Sequence, residues 1–190
     1  MKVGVLALQG DFREHIKAAT ECGHLAIEIR RVSELSEIDA LILPGGESTT
    51  IIHLAQSFDL YEPIKEVIAK GLPVYGSCAG MILLADRIVG GIAGQKTFGG
   101  LDITVRRNAF GRQVDSFESD LEFNGSSLHA VFIRAPWVEE VGADVEVLSK
   151  VGEHAVAVRQ GNLLATSFHP ELTHDLAVHR YFFDEICKGR

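Results

Sequence analysis

The sequence predicts an α/β fold, in which an open, mainly parallel sheet is flanked by helices and carries an antiparallel extension. Two observations support this prediction. In the first half of the chain, short apolar runs alternate with segments of helical periodicity, which is the pattern of parallel strands joined by helices. In the second half, apolar runs follow one another with only short turns between them, which favours antiparallel pairing.

The first half contains four predicted strands and three predicted helices. The strands are the apolar runs at residues 2–8, 25–30, 39–43 and 73–75. The first helix is predicted between Asp11 and Gly23, because Asp11 and Glu14 form the D-x-x-E pattern of a capping box. Helical spacing predicts two further helices, around residues 64–68 and 81–85.

The second half contains five strand-like runs and a final helix. The runs lie at residues 103–105, 130–133, 145–148, 155–158 and 163–167. The final helix carries Val178, Phe182 and Ile186 on one face. No long linker, repeat or low-complexity tract interrupts the chain, so a single domain over residues 1–190 is expected.

Composition excludes several classes of protein. The formal net charge is −8, which argues against general nucleic-acid binding because such binding draws on a basic surface. No apolar run reaches the length of about 20 residues that a membrane span requires. Three widely spaced cysteines are an odd number in a chain large enough to fold without cross-links. A disulfide framework is therefore not expected, and the reducing cytoplasm is the expected location.

The strongest local signal is the segment Gly76-Ser77-Cys78-Ala79-Gly80, which follows a predicted strand and opens a predicted helix. It is the cysteine version of a nucleophile elbow, a tight turn whose small neighbours let the nucleophile adopt a strained conformation. The helix that starts there would stabilise a thiolate. The N–H of Ala79 could also point at an oxyanion. Cys78 is thus a candidate nucleophile, whereas the bland alternative is a small buried cysteine.

The candidate base is His169, which directly follows the predicted strand at residues 163–167. A histidine at the end of one strand can meet a nucleophile at the end of a neighbouring strand. Pro170 stiffens the turn, and the carboxylate of Glu171 could bond the far nitrogen of the imidazole. That bond would fix the tautomer, as the third member of a catalytic triad does.

A third candidate segment, Pro44-Gly45-Gly46-Glu47-Ser48, follows the predicted strand at residues 39–43. It should emerge at the same edge of the sheet as Cys78. Its two glycines allow backbone N–H groups to approach a ligand or an oxyanion. Taken alone, the segment is also compatible with an ordinary glycine-rich turn.

The remaining histidines and one glycine-rich loop are expected to play no part in catalysis. The histidines show no metal-ligand spacing, so no metal site is predicted, and surface or capping roles are expected. They are His15, His24, His53, His129, His154, His174 and His179. Residues 90–97 (GGIAGQKT) look like a phosphate-binding loop, but Gln95 replaces the glycine that must precede the lysine. An ordinary loop is predicted there, and no cofactor is expected.

Together, the motifs PGGES, GSCAG and SFHPE resemble those of the class I glutamine amidotransferases, in the same order and over nearly the whole chain. Within that family, LQGDFREH, LILPGGEST, RRNAFGRQVDSFE, VFIRAP and SFHPELT are similar to the branch that serves pyridoxal 5′-phosphate synthases. Residues 107–117 (RNAFGRQVDSF) are the most specific part of this resemblance, because hydrolysis of glutamine does not require them.

This resemblance implies a site that hydrolyses L-glutamine. It makes Cys78 the nucleophile, with His169 and Glu171 as its relay. It also implies an oxyanion hole from backbone N–H groups of Ala79 and the Gly45–Gly46 turn. The residues implied to bind glutamine are Gly46, Glu47, Ser48, Arg107, Ile133 and Arg134. Arginine and glutamate suit the α-carboxylate and α-ammonium groups of that substrate.

The resemblance further implies a partner, a separate synthase subunit of the (β/α)₈ barrel type that receives ammonia through a tunnel in a hetero-oligomeric complex. Gln9, Gly10 and residues 106–112 are the expected docking face, because they are distinctive without being needed for hydrolysis.

Three alternatives remain open at this point. One is the same chemistry serving another synthase, such as imidazole glycerol phosphate synthase, and residues 107–117 argue against it. Another is a cysteine peptidase or deglycase of related fold, which would not need the H-P-E segment or the glutamine-site arginines. The third is an inactive regulatory module, against which the intact triad argues.

Overall fold

The computed structural model describes residues 1–109 and 116–188. These residues form twelve strands: β1 (Lys2–Leu6), β2 (Leu25–Ile29), β3 (Ala40–Leu43), β4 (Val74–Ser77), β5 (Ala85–Val89), β6 (Leu101–Arg106), β7 (Ser116–Phe123), β8 (Ser126–Ile133), β9 (Trp137–Val141), β10 (Glu146–Val151), β11 (His154–Gln160) and β12 (Leu163–Thr166). The helices are α1 (Phe12–Glu21), α2 (Ser48–Ser57), α3 (Tyr61–Ala69), α4 (Ala79–Leu84) and α5 (Ala177–Tyr181). A π-helical segment, Phe182–Ile186, continues α5, and 3₁₀ segments lie at Val32–Glu37 and Pro170–Leu172.

Ten of these strands form one sheet in the order β2-β1-β3-β4-β12-β11-β9-β6-β5, with β10 pairing to β11. The strands from β2 to β12 in this order all pair in parallel. The strands β11, β9 and β6 add antiparallel pairs beside them, and β5 pairs in parallel with β6. Strands β7 and β8 form a separate antiparallel hairpin. The predicted fold, a mainly parallel sheet with an antiparallel extension, is confirmed.

The central strands are apolar on both faces because helices and loops cover both sides of the sheet. Side chains alternate along β3, so Leu41 and Leu43 enter one buried cluster while Ala40 and Ile42 enter the other. Strand β12 is likewise buried along its whole length. The sheet therefore supplies a rigid centre from which loops at the carboxyl ends of β3, β4 and β12 project.

The sequence-based prediction differs from the structure at several elements. The prediction lacks four elements that the structure contains, namely α2, β5, β7 and β9. Helix α2 begins with three hydroxyl-bearing residues after a glycine-rich loop, a start with weak helical propensity. Strands β7 and β9 carry acidic residues at exposed positions, so they do not form apolar runs. Strand β5 begins at Ala85, which the prediction assigned to the end of the preceding helix.

The capping box predicted at the start of α1 is wrong. Asp11 is the residue that precedes the helix, but its side chain makes no capping hydrogen bond. The carboxylate turns instead toward His169, with which it forms a hydrogen bond. A charged partner across the fold outweighs the local backbone donor, because hydrogen bonds between ionised groups are stronger than neutral ones.

The helices were compared with the length and hydropathy of a membrane span. Within residues 1–109 and 116–188, none of them combines the length and the hydropathy needed to cross a bilayer.

Candidate active site

Cys78 lies at the sharp turn from β4 into α4. Its backbone has a positive φ of 49° and a ψ of −99°, a conformation that non-glycine residues rarely adopt. Its N–H donates to the carbonyl of Thr166 on β12 at 2.7 Å, which anchors the turn to the neighbouring strand. A methyl group at Gly80 would lie 2.2 Å from the carbonyl oxygen of Leu43. Only glycine permits this close approach, so the segment GSCAG suits the turn that it forms.

His169 follows β12 and precedes the 3₁₀ segment Pro170–Leu172. Its Nδ1 lies 2.7 Å from Oε1 of Glu171 and 3.0 Å from Oδ2 of Asp11, so both carboxylates accept from one ring nitrogen. The thiol of Cys78 also interacts with the imidazole and raises the pKa of His169. Thiol, imidazole and carboxylate are therefore in contact in the order that a triad requires.

The electrostatic balance at His169 favours the imidazolium. Burial by itself would lower the pKa of His169, but hydrogen bonds with Asp11, Cys78 and Glu171 raise it. Burial raises the pKa of Glu171 to about 7, against the opposing effect of the hydrogen bond with His169. Burial also acts to raise the pKa of Asp11, but its hydrogen bonds with His169 and Glu171 outweigh that effect and lower it to about 2. Asp11 is thus the carboxylate that remains ionised most readily.

The carboxylate of Glu171 is fully enclosed. The hydroxyl of Ser77 lies 3.3 Å from Oε1 and 3.2 Å from Oε2. On the far side, Nε2 of His15 lies 3.4 Å from Oε2. Ser77 hydrogen-bonds with the carboxylate, whereas the contact with His15 lacks hydrogen-bond geometry, so the buried acid has two polar neighbours besides His169.

A cavity of about 370 Å³ opens above the thiol. Its lining includes most of the residues expected at a glutamine site: Gly46, Glu47, Ser48, Cys78, Ala79, Arg107, Ile133, Arg134 and His169. Gln9, Gly10, Asp11, Ile82, Asn108 and Pro136 complete it. A cavity of this size suits a small polar metabolite.

A network of polar side chains forms one wall of this cavity. Arg107 donates to Oε1 of Glu47 at 2.7 Å and to the amide oxygen of Gln95 at 2.7 Å. The amide nitrogen of Gln95 donates in turn to the hydroxyl of Ser48 at 3.0 Å. Glu47 also accepts from the backbone N–H of Thr50, which caps α2. The wall therefore presents a fixed cation and a fixed anion to the cavity.

The backbone around the thiol is also unusual. Gly46 has a φ of +148°, and the next N–H, that of Glu47, donates to the side-chain oxygen of Gln9 at 2.8 Å. On the opposite side, Sγ of Cys78 lies 3.9 Å from the carbonyl of Ile133. Arg134 follows with a positive φ of 43°. Segments from three loops thus converge on the sulfur.

All the residues expected at the site meet in one place. Two of them do not line the cavity. Glu171 lies behind His169, and Gly45 packs so closely that an added methyl group would meet the His169 ring at 2.5 Å. Part of the most specific motif, residues 110–115, lies outside the described residues.

Sequence reasoning missed several neighbours of the site. His15 and His179 are fully buried behind Glu171, so the surface or capping roles expected for them are wrong. Gln95 belongs to the loop expected to leave the site untouched, yet it contacts Arg107 and Ser48. Phe12, His15 and Ala19 recur at helical spacing on the buried face of α1, and this spacing could have predicted that His15 is buried.

Among the described residues, one group has ligand atoms close enough together to hold a metal ion: Asp11, His169 and Glu171. The proton on Nδ1 of His169 already accounts for this arrangement, because it joins the two carboxylates to the ring. A metal ion at that nitrogen would have to displace it.

Comparison with known proteins gives a consistent result. A model described as the SNO glutamine amidotransferase family matches residues 5–188. A pyridoxal 5′-phosphate synthase subunit PdxT from Parafrankia sp. is 62% identical over 188 residues, covering 97% of this chain and 93% of that protein. The PdxT subunit of Mycolicibacterium vanbaalenii is 61% identical and covers 95% of both chains. A solved structure described as a glutamine amidotransferase is 52% identical, covers 96% of this chain and 97% of its own, and has a TM-score of 0.91.

Proposed function

The chain belongs to the SNO glutamine amidotransferase family, and from this membership we propose that it is the glutaminase subunit of a pyridoxal 5′-phosphate synthase. It hydrolyses L-glutamine to L-glutamate and ammonia through Cys78, His169 and Glu171. The observation that supports this most directly is the contact of His169 with both the thiol and the carboxylate, at the floor of a cavity with a paired anion and cation.

The proposed reaction begins with the thiolate of Cys78. The thiolate attacks the side-chain amide carbon of glutamine, and the carbonyl electrons move onto the oxygen. The N–H of Ala79, with the Gly45–Gly46 turn, stabilises that oxyanion. The imidazolium of His169 then gives its proton to the departing amine, so that ammonia leaves and a thioester remains.

Water completes the cycle. His169, now neutral, takes a proton from water as it attacks the thioester, and the carbon–sulfur bond breaks to release glutamate. Glu171 holds the imidazole in the tautomer that allows both proton transfers. The thiolate–imidazolium pair is restored, so the steps balance without a cofactor.

Recognition of the substrate is assigned to the opposite wall of the cavity. The guanidinium of Arg107 suits the α-carboxylate of glutamine, and Glu47 suits its α-ammonium group. The pKa of Glu47 is lowered: burial opposes the shift, but hydrogen bonds from Thr49 and Thr50 outweigh it, so the residue is an anion at neutral pH. Gly46, Ser48, Ile133 and Arg134 contribute the rest of the proposed binding surface.

Ammonia passes to a synthase subunit of the (β/α)₈ type in a hetero-oligomeric complex. We place this activity in the cytoplasm and in one domain covering residues 1–190. The proposed docking face consists of Gln9, Gly10 and residues 106–112, of which 110–112 lie outside the described part of the chain. Gln9 and Gly10 line the mouth of the cavity, so a partner seated on them would also cover the site.

The test measures glutamate release from glutamine with and without the synthase subunit. Cys78→Ala is the inactive variant, and Cys22→Ala is its matched control, because Cys22 is half-buried at the end of α1. We expect release that rises with the synthase subunit, disappears in Cys78→Ala and persists in Cys22→Ala. Release that is indifferent to the synthase subunit would refute the assigned pathway, and release that survives in Cys78→Ala would refute the triad.

A further inference from the structure

Two histidines that the proposed reaction does not use lie directly behind the triad. His15 on α1 and His179 on α5 are both fully buried. Nδ1 of His15 lies 3.0 Å from Nε2 of His179, and Nε2 of His15 lies 3.4 Å from Oε2 of Glu171. The contact between the two imidazoles is a hydrogen bond, whereas the contact with Glu171 lacks hydrogen-bond geometry, so Nε2 of His15 is a buried nitrogen that faces the acid of the triad without a hydrogen-bond partner among the described residues.

The chemistry of Glu171 determines which nitrogen of His15 carries hydrogen. The pKa of Glu171 is about 7, and in its ionised form the carboxylate only accepts hydrogen bonds, so the ring nitrogen that faces the ionised acid must be an N–H. A neutral imidazole has a single N–H, which leaves Nδ1 of His15 as an acceptor. Nε2 of His179 must then be the donor to it. The opposite arrangement would set a lone pair of His15 against the carboxylate, with both side chains fully buried.

Both histidines are neutral. Burial and the proximity of His179 keep the pKa of His15 well below its usual value. Burial lowers the pKa of His179 to about 4. Each ring is thus a neutral imidazole, with one N–H that can donate and one nitrogen that can accept.

Without His15, the carboxylate of Glu171 would keep few donors. The hydroxyl of Ser77 has one hydrogen, although it lies at similar distances from both oxygens. That hydroxyl is also 3.5 Å from the carbonyl of Phe168, which competes for the same hydrogen. Nε2 of His15 is therefore the second polar group beside Oε2, at 3.4 Å.

We propose that His15 is a positioning residue of the glutaminase reaction, whose Nε2–H faces the buried carboxylate of Glu171 at 3.4 Å and stabilises its charge, and that His179 fixes the tautomer that presents this N–H. The proposal rests on the function proposed above for the triad. It extends the polar contacts of the triad beyond Glu171 to two further helices.

The titratable groups around Glu171 determine how the loss of His15 would change the protonation of that carboxylate. Asp11 and His169 face the carboxylate from the cavity side. Tyr75 of β4 lies on the same side as His15, with ring centroids 5.8 Å apart, and burial together with the charge of Glu171 keeps its pKa well above its usual value. Tyr75 is thus a neutral phenol that does not replace His15 as a charge partner. Removal of the His15 N–H should therefore make Glu171 easier to protonate.

The kinetic test uses the assembled complex of glutaminase and synthase subunits. His15→Leu should lower kcat about tenfold, because the buried carboxylate of Glu171 would lose a polar neighbour, with KM changed less than about twofold. The acid limb of kcat/KM should move to higher pH. His15→Gln places an amide N–H near the position of Nε2 and should recover most of kcat and the original limb. His24→Leu is the matched control, because His24 packs on Phe183 away from the triad.

Two kinetic outcomes would overturn the proposal. One is a folded His15→Leu variant with the kcat and acid limb of the wild type. The other is equal impairment of His15→Leu and His15→Gln, which would indicate a packing role alone.

A second measurement does not depend on glutamine hydrolysis, so it separates this proposal from the proposed function. Nitrogen-15 spectra of histidine-labelled wild-type protein, recorded above the pKa of Glu171 of about 7, should contain a neutral His15 with hydrogen on Nε2, assigned by its loss in His15→Gln. In His179→Leu, His15 should lose its preference for hydrogen on Nε2 and should also populate the tautomer with hydrogen on Nδ1. A His15 with hydrogen on Nδ1, or a charged His15, would refute the proposal even if Cys78 hydrolyses glutamine.

Discussion

Oδ2 of Asp11 lies 3.0 Å from Nδ1 of His169, the same nitrogen that Glu171 contacts at 2.7 Å. One N–H therefore faces two carboxylates that differ in their exposure to solvent. The side chain of Glu171 is completely buried, whereas that of Asp11 is 21% exposed at the cavity. Because the pKa of Asp11 is lowered to about 2, it is an anion throughout the neutral range. The imidazolium of His169 thus has a permanent counter-charge besides the acid of the triad.

Asp11→Asn should shift the alkaline limb of the pH profile. The hydrogen bond from Asp11 raises the pKa of His169, so its loss should lower that pKa. The imidazolium would then lose its proton at a lower pH, and the alkaline limb of kcat/KM should move downward by about one unit or more. Glu14→Gln, which removes an exposed charge one turn away on α1, is the control. An alkaline limb that is the same in Asp11→Asn and wild type would contradict this role.

Gln95→Ala should weaken the binding of glutamine more than it slows the reaction. Gln95 holds Arg107 and Ser48 in place but does not line the cavity beside the thiol. Loss of its bond to the guanidinium should raise KM about tenfold, with kcat changed much less. Gln56→Ala, an exposed glutamine on α2, should leave both constants unchanged. A fall in kcat with constant KM in Gln95→Ala would show that this wall acts in the transition state instead.

Arg107→Lys should also raise KM, although the charge is kept. The guanidinium donates through two nitrogens to Glu47 and Gln95 at once, and an ammonium cannot reproduce that planar fork. We expect an increase in KM of about tenfold or more, measured under the same conditions. Arg87→Lys is the matched control, because Arg87 pairs with Asp102 on strands β5 and β6 and does not line the cavity. Equal binding of glutamine by Arg107→Lys and wild type would exclude this fork from recognition.

Gly80→Ala should lower both stability and activity. The added methyl group would meet the Leu43 carbonyl at 2.2 Å, and a backbone atom in the middle of the sheet cannot move aside easily. Overpacking of this kind costs about 1–3 kcal/mol in the free energy of unfolding, which chemical denaturation can measure. The turn at Cys78 should shift as well, so glutamate release should fall.

Gly152→Ala serves as its control. Gly152 has a φ of +58°, but nothing lies within 4 Å of the position of an added methyl group. It should lose stability only through backbone strain, about 1–2 kcal/mol, and keep full glutaminase activity. If Gly80→Ala retained full activity, the close approach at the elbow would be unimportant for the nucleophile.

The triad and its strands could be predicted because their signals are local. Cys78 sits in a five-residue motif after an apolar strand, and His169 and Glu171 lie two residues apart after another. Parallel strands bring such loops to one edge of a sheet. The supporting groups gave no such signal. Asp11 and His169 are 158 residues apart, and His15 and His179 are 164 apart, so only the packing of α1 and its first residues against the segment after β12 and against α5 brings them together.

Local patterns also competed with the tertiary contacts. The D-x-x-E pattern at Asp11 offered a capping role, and the tertiary partner His169 replaced it. In the sequence, Gln95 argued against a phosphate-binding loop because it replaces a required glycine. That argument does not predict that its side chain contacts Arg107. Helix α2 follows a glycine-rich turn, and packing of Ile51, Ile52 and Ala55 stabilises it despite its weak start.

The pairing of β4 with β12 has a consequence for the timing of activity. Thr166 is in register with Ser77, so the two strands deliver the base and the nucleophile to the same point of the sheet. A slip of one residue between them would displace the base by about 3.3 Å and break the contact with the thiol. Strand β12 inserts between β4 and β11 and is the last strand of the described chain to be synthesised. A growing polypeptide on the ribosome would thus carry its nucleophile long before its base, and it would release no ammonia until the sheet had closed.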